Sequence, residues 1–231
     1  MPVGERTGAT GFNAFTGRAT IAILVVLGLV VLVAVIGTQS PSSRNSAVPV
    51  SDRVSVAIPL DASEITGLDV ASIGVATWAR RGTHPWRSDS PPTEVTDLGL
   101  REDNSLDVPS DAATVGWYDR SSSPGTVGPA VMAGHVNYSG EDGTFAKLKD
   151  VKKDDTVEAH RKDGTTAVFR VDEVGQYDKD AFPTDTVYGP TSDAEIRLIT
   201  CGGVFNSAKR SYDDNIVVFG RIVDAYRARD A

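Results

Sequence analysis

The stretch EIRLITCGGVF, Glu195 to Phe205, runs from a β-branched, apolar segment into a thiol and then a pair of glycines. Ile196 to Cys201 reads as a strand, because alternating branched side chains suit a pleated surface and Gly202-Gly203 punctuates its end. Cys201 is the only cysteine among 231 residues. In an exported domain a lone cysteine has no intramolecular disulfide partner, which marks it as intermolecular or reactive. Packing as a small hydrophobe is the other common fate of the residue type. On these residues alone both readings stay open.

Working outward, short apolar or β-branched runs recur between turn signals: Leu68 to Val70, Ala130 to Ala133, Thr156 to Ala159, Ala167 to Val171 and Ile216 to Phe219. Asp163-Gly164 between two of them predicts a hairpin. The one helical signal is a short segment over Gly143 to Val151, and Ala76 to Pro92, with two tryptophans among turn residues, predicts a long loop. The fold class expected is all-β, a barrel or sandwich with long loops.

Far upstream, Ala19 to Gly37 reads ATIAILVVLGLVVLVAVIG without charge or proline. At about 1.5 Å per residue it spans roughly 28 Å, close to a hydrocarbon core. It lacks a convincing small-x-small cleavage site, so an uncleaved anchor is expected. Arg18 abuts this segment while Arg44 sits further out, which places the N-terminus in the cytoplasm and the rest outside. The expected organisation is a cytoplasmic arm over 1–18, a transmembrane helix over 19–38, an extracytoplasmic Ser/Pro/Asp-rich linker over 39–65 and one domain over 66–231. The net charge of −8 and the absence of a basic run argue against a nucleic-acid surface.

Thiol catalysis needs a base near the sulfur and donors for the oxyanion formed when a carbonyl is attacked. Of the three histidines, His160 beside the hairpin and His84 in the Trp-rich loop read as solvated. His135 follows an apolar strand, Pro129 to Ala133, and a glycine, a place where a scaffold presents functional side chains; a structural turn histidine is the alternative. Arg197, Arg210, Arg221 and Arg227 lie nearest the cysteine in sequence. Arg197 would share a face with Cys201 but about 13 Å away at ~3.3 Å per residue. Arg210 lies beyond a turn and before the strand Ile216 to Phe219, which could return it beside the thiol.

Leu198-Ile199-Thr200-Cys201 resembles the Leu-x-Thr-Cys strand signature of sortases, membrane-anchored cysteine transpeptidases of Gram-positive bacteria. Gly134-His135 lies at a matching distance upstream. Leu106-Asp107-Val108-Pro109, Val115-Gly116-Trp117-Tyr118, Asp180 to Thr184, Val187-Tyr188-Gly189-Pro190 and Asp214 to Val218 are similar to the actinobacterial class F and class E branches. Two departures stand out: Arg197 replaces the usual signature threonine, and Asp213 stands where many class F members have arginine.

The resemblance implies an eight-stranded sortase-type β-barrel with short helices and long loops. It implies Cys201 as nucleophile, His135 as general acid and base, and Arg210, nine residues on at the spacing of class E, as the catalytic arginine. Thr200, Gly202, Trp117 and Tyr118 are the implied substrate contacts. The reaction would cleave a C-terminal sorting motif of surface proteins through a thioacyl intermediate and pass the acyl group to an amine, a peptidoglycan precursor or a pilin lysine. No cofactor is needed, since the acyl bond energy is conserved, and no acidic cluster in the sequence points to a metal. The rival reading is a non-catalytic extracytoplasmic β-barrel that binds a surface partner, with Cys201 buried and inert. An L,D-transpeptidase is disfavoured because Leu-Ile-Thr occupies the positions before Cys201 where that family carries a Ser-His-Gly-Cys-type signature.

Overall fold

The computed structural model describes residues 50–76 and 95–229. The expected cytoplasmic arm, the anchor at Ala19 to Gly37 and His84 lie outside the described residues. Within them, no helix is long and apolar enough to cross a membrane.

The strands are β1 (Arg53–Ser55), β2 (Ile65–Val70), β3 (Val75–Ala76), β4 (Val95–Leu98), β5 (Val115–Tyr118), β6 (Gly128–Gly134), β7 (Asn137–Tyr138), β8 (Glu141–Asp142), β9 (Thr156–Arg161), β10 (Thr165–Asp178), β11 (Ala194–Asn206) and β12 (Ser211–Ala228). Ten form one sheet in the order β3-β2-β9-β10-β12-β11-β6-β5-β4, with β1 added on β12, and β7 and β8 pair separately. The sheet curls until β2 and β4, near opposite ends of this order, come into contact. The expected barrel is present in β2, β4, β5, β6, β9, β10, β11 and β12; the short β1 and β3 extend it.

The central strands are apolar on both faces, which is why they read as runs rather than as strict alternation. Ile196 and Leu198 of β11, Met132 of β6 and Val218 of β12 point into the main core with Phe169 and Val157. Their neighbours Ile199, Val131 and Val217 form a second cluster on the opposite face with Val187, against which Phe182 and Tyr188 pack. With a side-chain period of two, Cys201 shares the face of Ile199 and not that of the main core.

The helix expected over Gly143 to Val151 is instead a series of turns ending in a 3₁₀ turn, Leu148–Asp150. Phe145, Leu148 and Val151 are all buried in the core, and their spacing of three suits the tighter coil. Among the described residues the one α-helix is α1, Thr184–Tyr188.

The segment expected as linker is folded onto the domain from residue 53. Arg53, Val54 and Ser55 pair with Ala228, Arg227 and Tyr226 of β12. Further on, Leu60 N–H donates to Gly125 O at 2.8 Å and the Ser63 amide to Ser123 Oγ at 3.0 Å. These partners lie 60 or more residues away, beyond the reach of a composition argument.

His160 departs from its solvated expectation for the same reason. It is 6% exposed, with Nε2 3.1 Å from Asp69 Oδ2 and Nδ1 3.0 Å from Thr166 Oγ1. Glu158, two residues before it on the same face, accepts from Arg53 Nη2 at 3.0 Å and from the Tyr226 hydroxyl at 2.9 Å. Burial, with the Glu158 charge beside it, pushes the Tyr226 hydroxyl well above the ordinary phenol range, so it remains a donor. Asp69, Glu158 and His160 bring three ligand-type atoms within 4.8 Å of one another. Glu158 is already paired with a guanidinium, and a cation bound among the three would have to compete with it. Glu158→Ala leaves Arg53 and Tyr226 without this carboxylate in a site largely shut from water, and should cost about 3 kcal/mol. A thermal melt should fall by roughly 6–12 °C for a domain of this size, whereas Glu158→Gln, which keeps the acceptor for Tyr226, should lose less.

Candidate active site

Strand register assembles the site. In the parallel pair, Ile199 lies beside Ala133, so two residues further along Cys201, inside β11, and His135, just past the end of β6, are neighbours on strands ~4.8 Å apart. The two strands are tied together here, because the buried Thr200 hydroxyl donates to Gly134 O at 2.8 Å. On the other side Cys201 pairs with Asn215 of β12. Cys201 is half-buried and not disulfide-bonded.

His135 is held on both sides. Its Nε2 lies 2.8 Å from Pro109 O; a carbonyl only accepts, so Nε2 carries the hydrogen and Nδ1 is left to exchange a proton. The Phe145 amide donates to the His135 carbonyl at 3.0 Å, and Gly143 passes so close that a Cβ there would lie 2.0 Å from that oxygen. The Tyr138 ring stacks obliquely on the imidazole at 4.8 Å. Nearby, Asp111 is held below the usual carboxylate range by the Thr114 hydroxyl and by the Thr114 and Ala113 amides, with a contribution from His135 itself.

Cys201, His135 and Thr200 line one cavity of about 660 Å³. Its walls are the loop after β4, with Leu100, Leu106 and Val108, and the segment around α1, with Phe182 and Tyr188. Tyr118 also faces it and meets Tyr188 edge-on at 6.2 Å. Lys179 enters from the turn after β10: its Nζ donates to Ser211 Oγ at 2.9 Å and to Cys201 Sγ at 3.5 Å.

Of the residues expected at the site, Cys201, His135, Thr200 and Tyr118 are brought to this cavity, and Arg210, Trp117 and Gly202 are not among those lining it. Arg210 is exposed at φ 50°, the last residue of the turn that joins β11 to β12. Asn206 pairs with Ser211, and Asn206 Oδ1 accepts from the Ala208 and Lys209 amides, so the hairpin closes before Arg210 can fold back. Trp117 packs on the main core, and its indole donates to Ser122 O at 3.3 Å. Gly202 meets Ile216, whose side chain would lie 2.7 Å from a Cβ, so it serves strand packing. Thr200 reaches the cavity, but its hydroxyl is turned into the sheet. Arg197 is buried over the Phe219 ring and paired with Glu195 at 2.5 Å. Lys179 is the residue that sequence reasoning missed; it sits among Asp178 and Asp180 and has the look of a solvated charge run.

Comparison with known proteins gives the family. A family model for the sortase domain matches residues 93–223, more than half of the chain. A search of the curated proteins returned no match. Among solved structures, sortase A of Listeria monocytogenes is similar at 19% identity and a TM-score of 0.50, over 74% of this chain and 93% of that one. The SrtA sortase of Actinomyces oris is similar at 20% identity and a TM-score of 0.49, over 78% and 88%. The Listeria likeness is one of fold, and the family assignment rests on the matched domain; with its single thiol delivered by a sheet of this topology, the chain belongs to the sortase family of cysteine transpeptidases.

Proposed function

We propose that this transpeptidase acts on proteins bearing a C-terminal sorting motif, with Cys201 as nucleophile and His135 as general acid and base. The observation that carries the reading is the register of β6 and β11, which delivers the thiol and the imidazole side by side into one cavity. Cys201 passes its proton to His135 Nδ1 and Sγ attacks the scissile carbonyl, whose pair moves onto oxygen; as that pair returns the C–N bond breaks, and Nδ1–H protonates the departing amine while the thioester forms. An incoming amine then gives up its proton to His135 and displaces the sulfur. The apolar cavity wall of Leu100, Leu106, Val108 and Tyr118 suits an extended peptide with an apolar anchor residue. The acceptor is an amine of a peptidoglycan precursor or a pilin lysine, and the protein is held in the cell membrane by Ala19 to Gly37 with this domain outside.

The binding-module alternative requires an inert thiol, which the placement of Cys201 at an open cavity beside a histidine disfavours. The test is incubation of the full-length chain, in detergent, with a library of Leu-x-x-Thr-Gly-type peptides and an amine. Mass spectrometry should find peptides cut before glycine and joined to the amine. Absence of any ligated product across the library would refute the reading, and N-terminal sequencing of membrane-extracted protein that began near Gln39 would refute the anchor.

A further inference from the structure

We infer that Lys179 is the catalytic cation of this enzyme, a role that rests on the proposed transpeptidation and that, among the described residues, no arginine near the cysteine fills. Of the four arginines nearest Cys201 in sequence, none lines the cavity. Arg197 is committed to Glu195 and Phe219, Arg210 is exposed in its turn, Arg221 is bonded to Asp172, and Arg227 lies at the far end of β12, paired with Thr165 and Val54. Asp213, at the position where the resemblance to class F implies an arginine, brings a carboxylate instead. Arg101 does reach the cavity, at its loop wall, where its Nε is paired with Asp107 at 3.0 Å.

Lys179 arrives by a different route. β10 runs beside β12 as far as Asp178, opposite Asp214, and Asp214 in turn lies opposite Gly202 of β11. The chain therefore leaves β10 one strand away from the residue that follows Cys201. Asp178 Oδ1 accepts from the Asp180 amide at 2.7 Å and fixes the turn, which sends Lys179 across β12 to the thiol. Ser211 Oγ, at 2.9 Å, holds the ammonium in place.

With its Nζ 3.5 Å from Cys201 Sγ, Lys179 stands beside the place where the sulfur meets the scissile carbonyl. When the C–S bond forms, the charge passes from sulfur to the carbonyl oxygen, and the same Nζ, with three rotatable donors, can follow it. Lys179 keeps its proton throughout; His135 makes both proton transfers, so the two charged groups have separate tasks.

The experiment uses the full-length chain in detergent, with Lys179→Met, Lys179→Arg and Ser211→Ala. Two readouts are compared: kcat for peptide transfer, and the rate of Cys201 alkylation by iodoacetamide at pH 7. Lys179→Met should lose about 10²- to 10³-fold in kcat, the usual effect of losing one oxyanion donor. It should also be alkylated several-fold more slowly at pH 7, since the cation 3.5 Å from the sulfur is gone. Lys179→Arg should recover most of both losses, and Ser211→Ala should lose less than Lys179→Met. A Lys179→Met variant within threefold of native in either assay, or a Ser211→Ala variant that matches it in full, would overturn the assignment. Alkylation needs no peptide, so it decides the question even if no library peptide is accepted, a result that would count against the proposed substrate and not against Lys179.

Discussion

Cys201→Ala should abolish acyl transfer and leave the fold intact. The chain has no second thiol to substitute for it, and water or an added amine attacking the peptide directly would lack the two-step route that the thioester provides. The residue sits within β11, half-buried and on the cavity side of the sheet, so removing its sulfur opens no space in the main core. The expected loss of stability is under ~1 kcal/mol. A core position would behave otherwise: Leu198, fully buried in the same strand, should lose about 2–5 kcal/mol on truncation to alanine. Cys201→Ser keeps the size and polarity of the side chain, yet a hydroxyl beside Lys179 stays protonated at neutral pH and is a poor nucleophile, so it too should fall to background. The measurements are a thermal melt and mass spectrometry of wild type and variants mixed with an accepted peptide. Wild type should carry a peptide adduct on the fragment containing Cys201, and neither variant should. Transfer by Cys201→Ala above the uncatalysed rate would end the assignment of the nucleophile.

The part of this site that could be read from the sequence is the part built within single strands. The run Ile196 to Cys201 announces the first part of β11, up to its thiol, and Pro129 to His135 announces β6, up to the histidine just past it; β11 itself continues to Asn206. What places the thiol and the histidine together is a parallel pairing between segments more than 60 residues apart, which no local pattern states. Lys179 was illegible for a related reason. Its role follows from how far β10 runs beside β12, and a 14-residue strand with irregular register is not visible in the short apolar run Ala167 to Val171. His160 was misjudged because its partners, Asp69 and Thr166, come from the strands on either side. Arg210 shows the reverse error: its spacing from Cys201 is suggestive, but a tight hairpin spends that distance on a turn. Trp117, in a segment that matched the family pattern, turned out to face the core, because a matched segment does not say which face of the strand each residue takes.

His135→Gln should be the most damaging change that leaves the nucleophile in place. The scissile group is an amide, and its nitrogen leaves only when protonated, so loss of the acid slows breakdown of the tetrahedral intermediate; general acid–base catalysis is worth about 10²- to 10⁴-fold. Glutamine can still donate toward Pro109 O and keep the loop in place, but it has no titratable nitrogen to replace Nδ1. The loss should therefore appear in kcat with little change in KM, since the apolar cavity wall proposed to receive the peptide is untouched. Leaving-group chemistry separates this role from a structural one. A depsipeptide, in which an ester replaces the scissile amide, expels an alkoxide far more readily than an amide expels an amine, so His135→Gln should lose much less on the ester than on the amide. A histidine that merely propped up the loop would cost both substrates equally, and its removal would shift the melting temperature along with the rate. Second-step kinetics give the same answer from the other side. With the thioester preformed from an activated acyl donor, His135→Gln should remain slow with amines that are protonated at neutral pH and recover as the pH is raised, because the base it lacks is then supplied by solution. Equal losses on amide and ester, with no recovery at high pH, would show that His135 holds the cavity together and that some other group moves the proton.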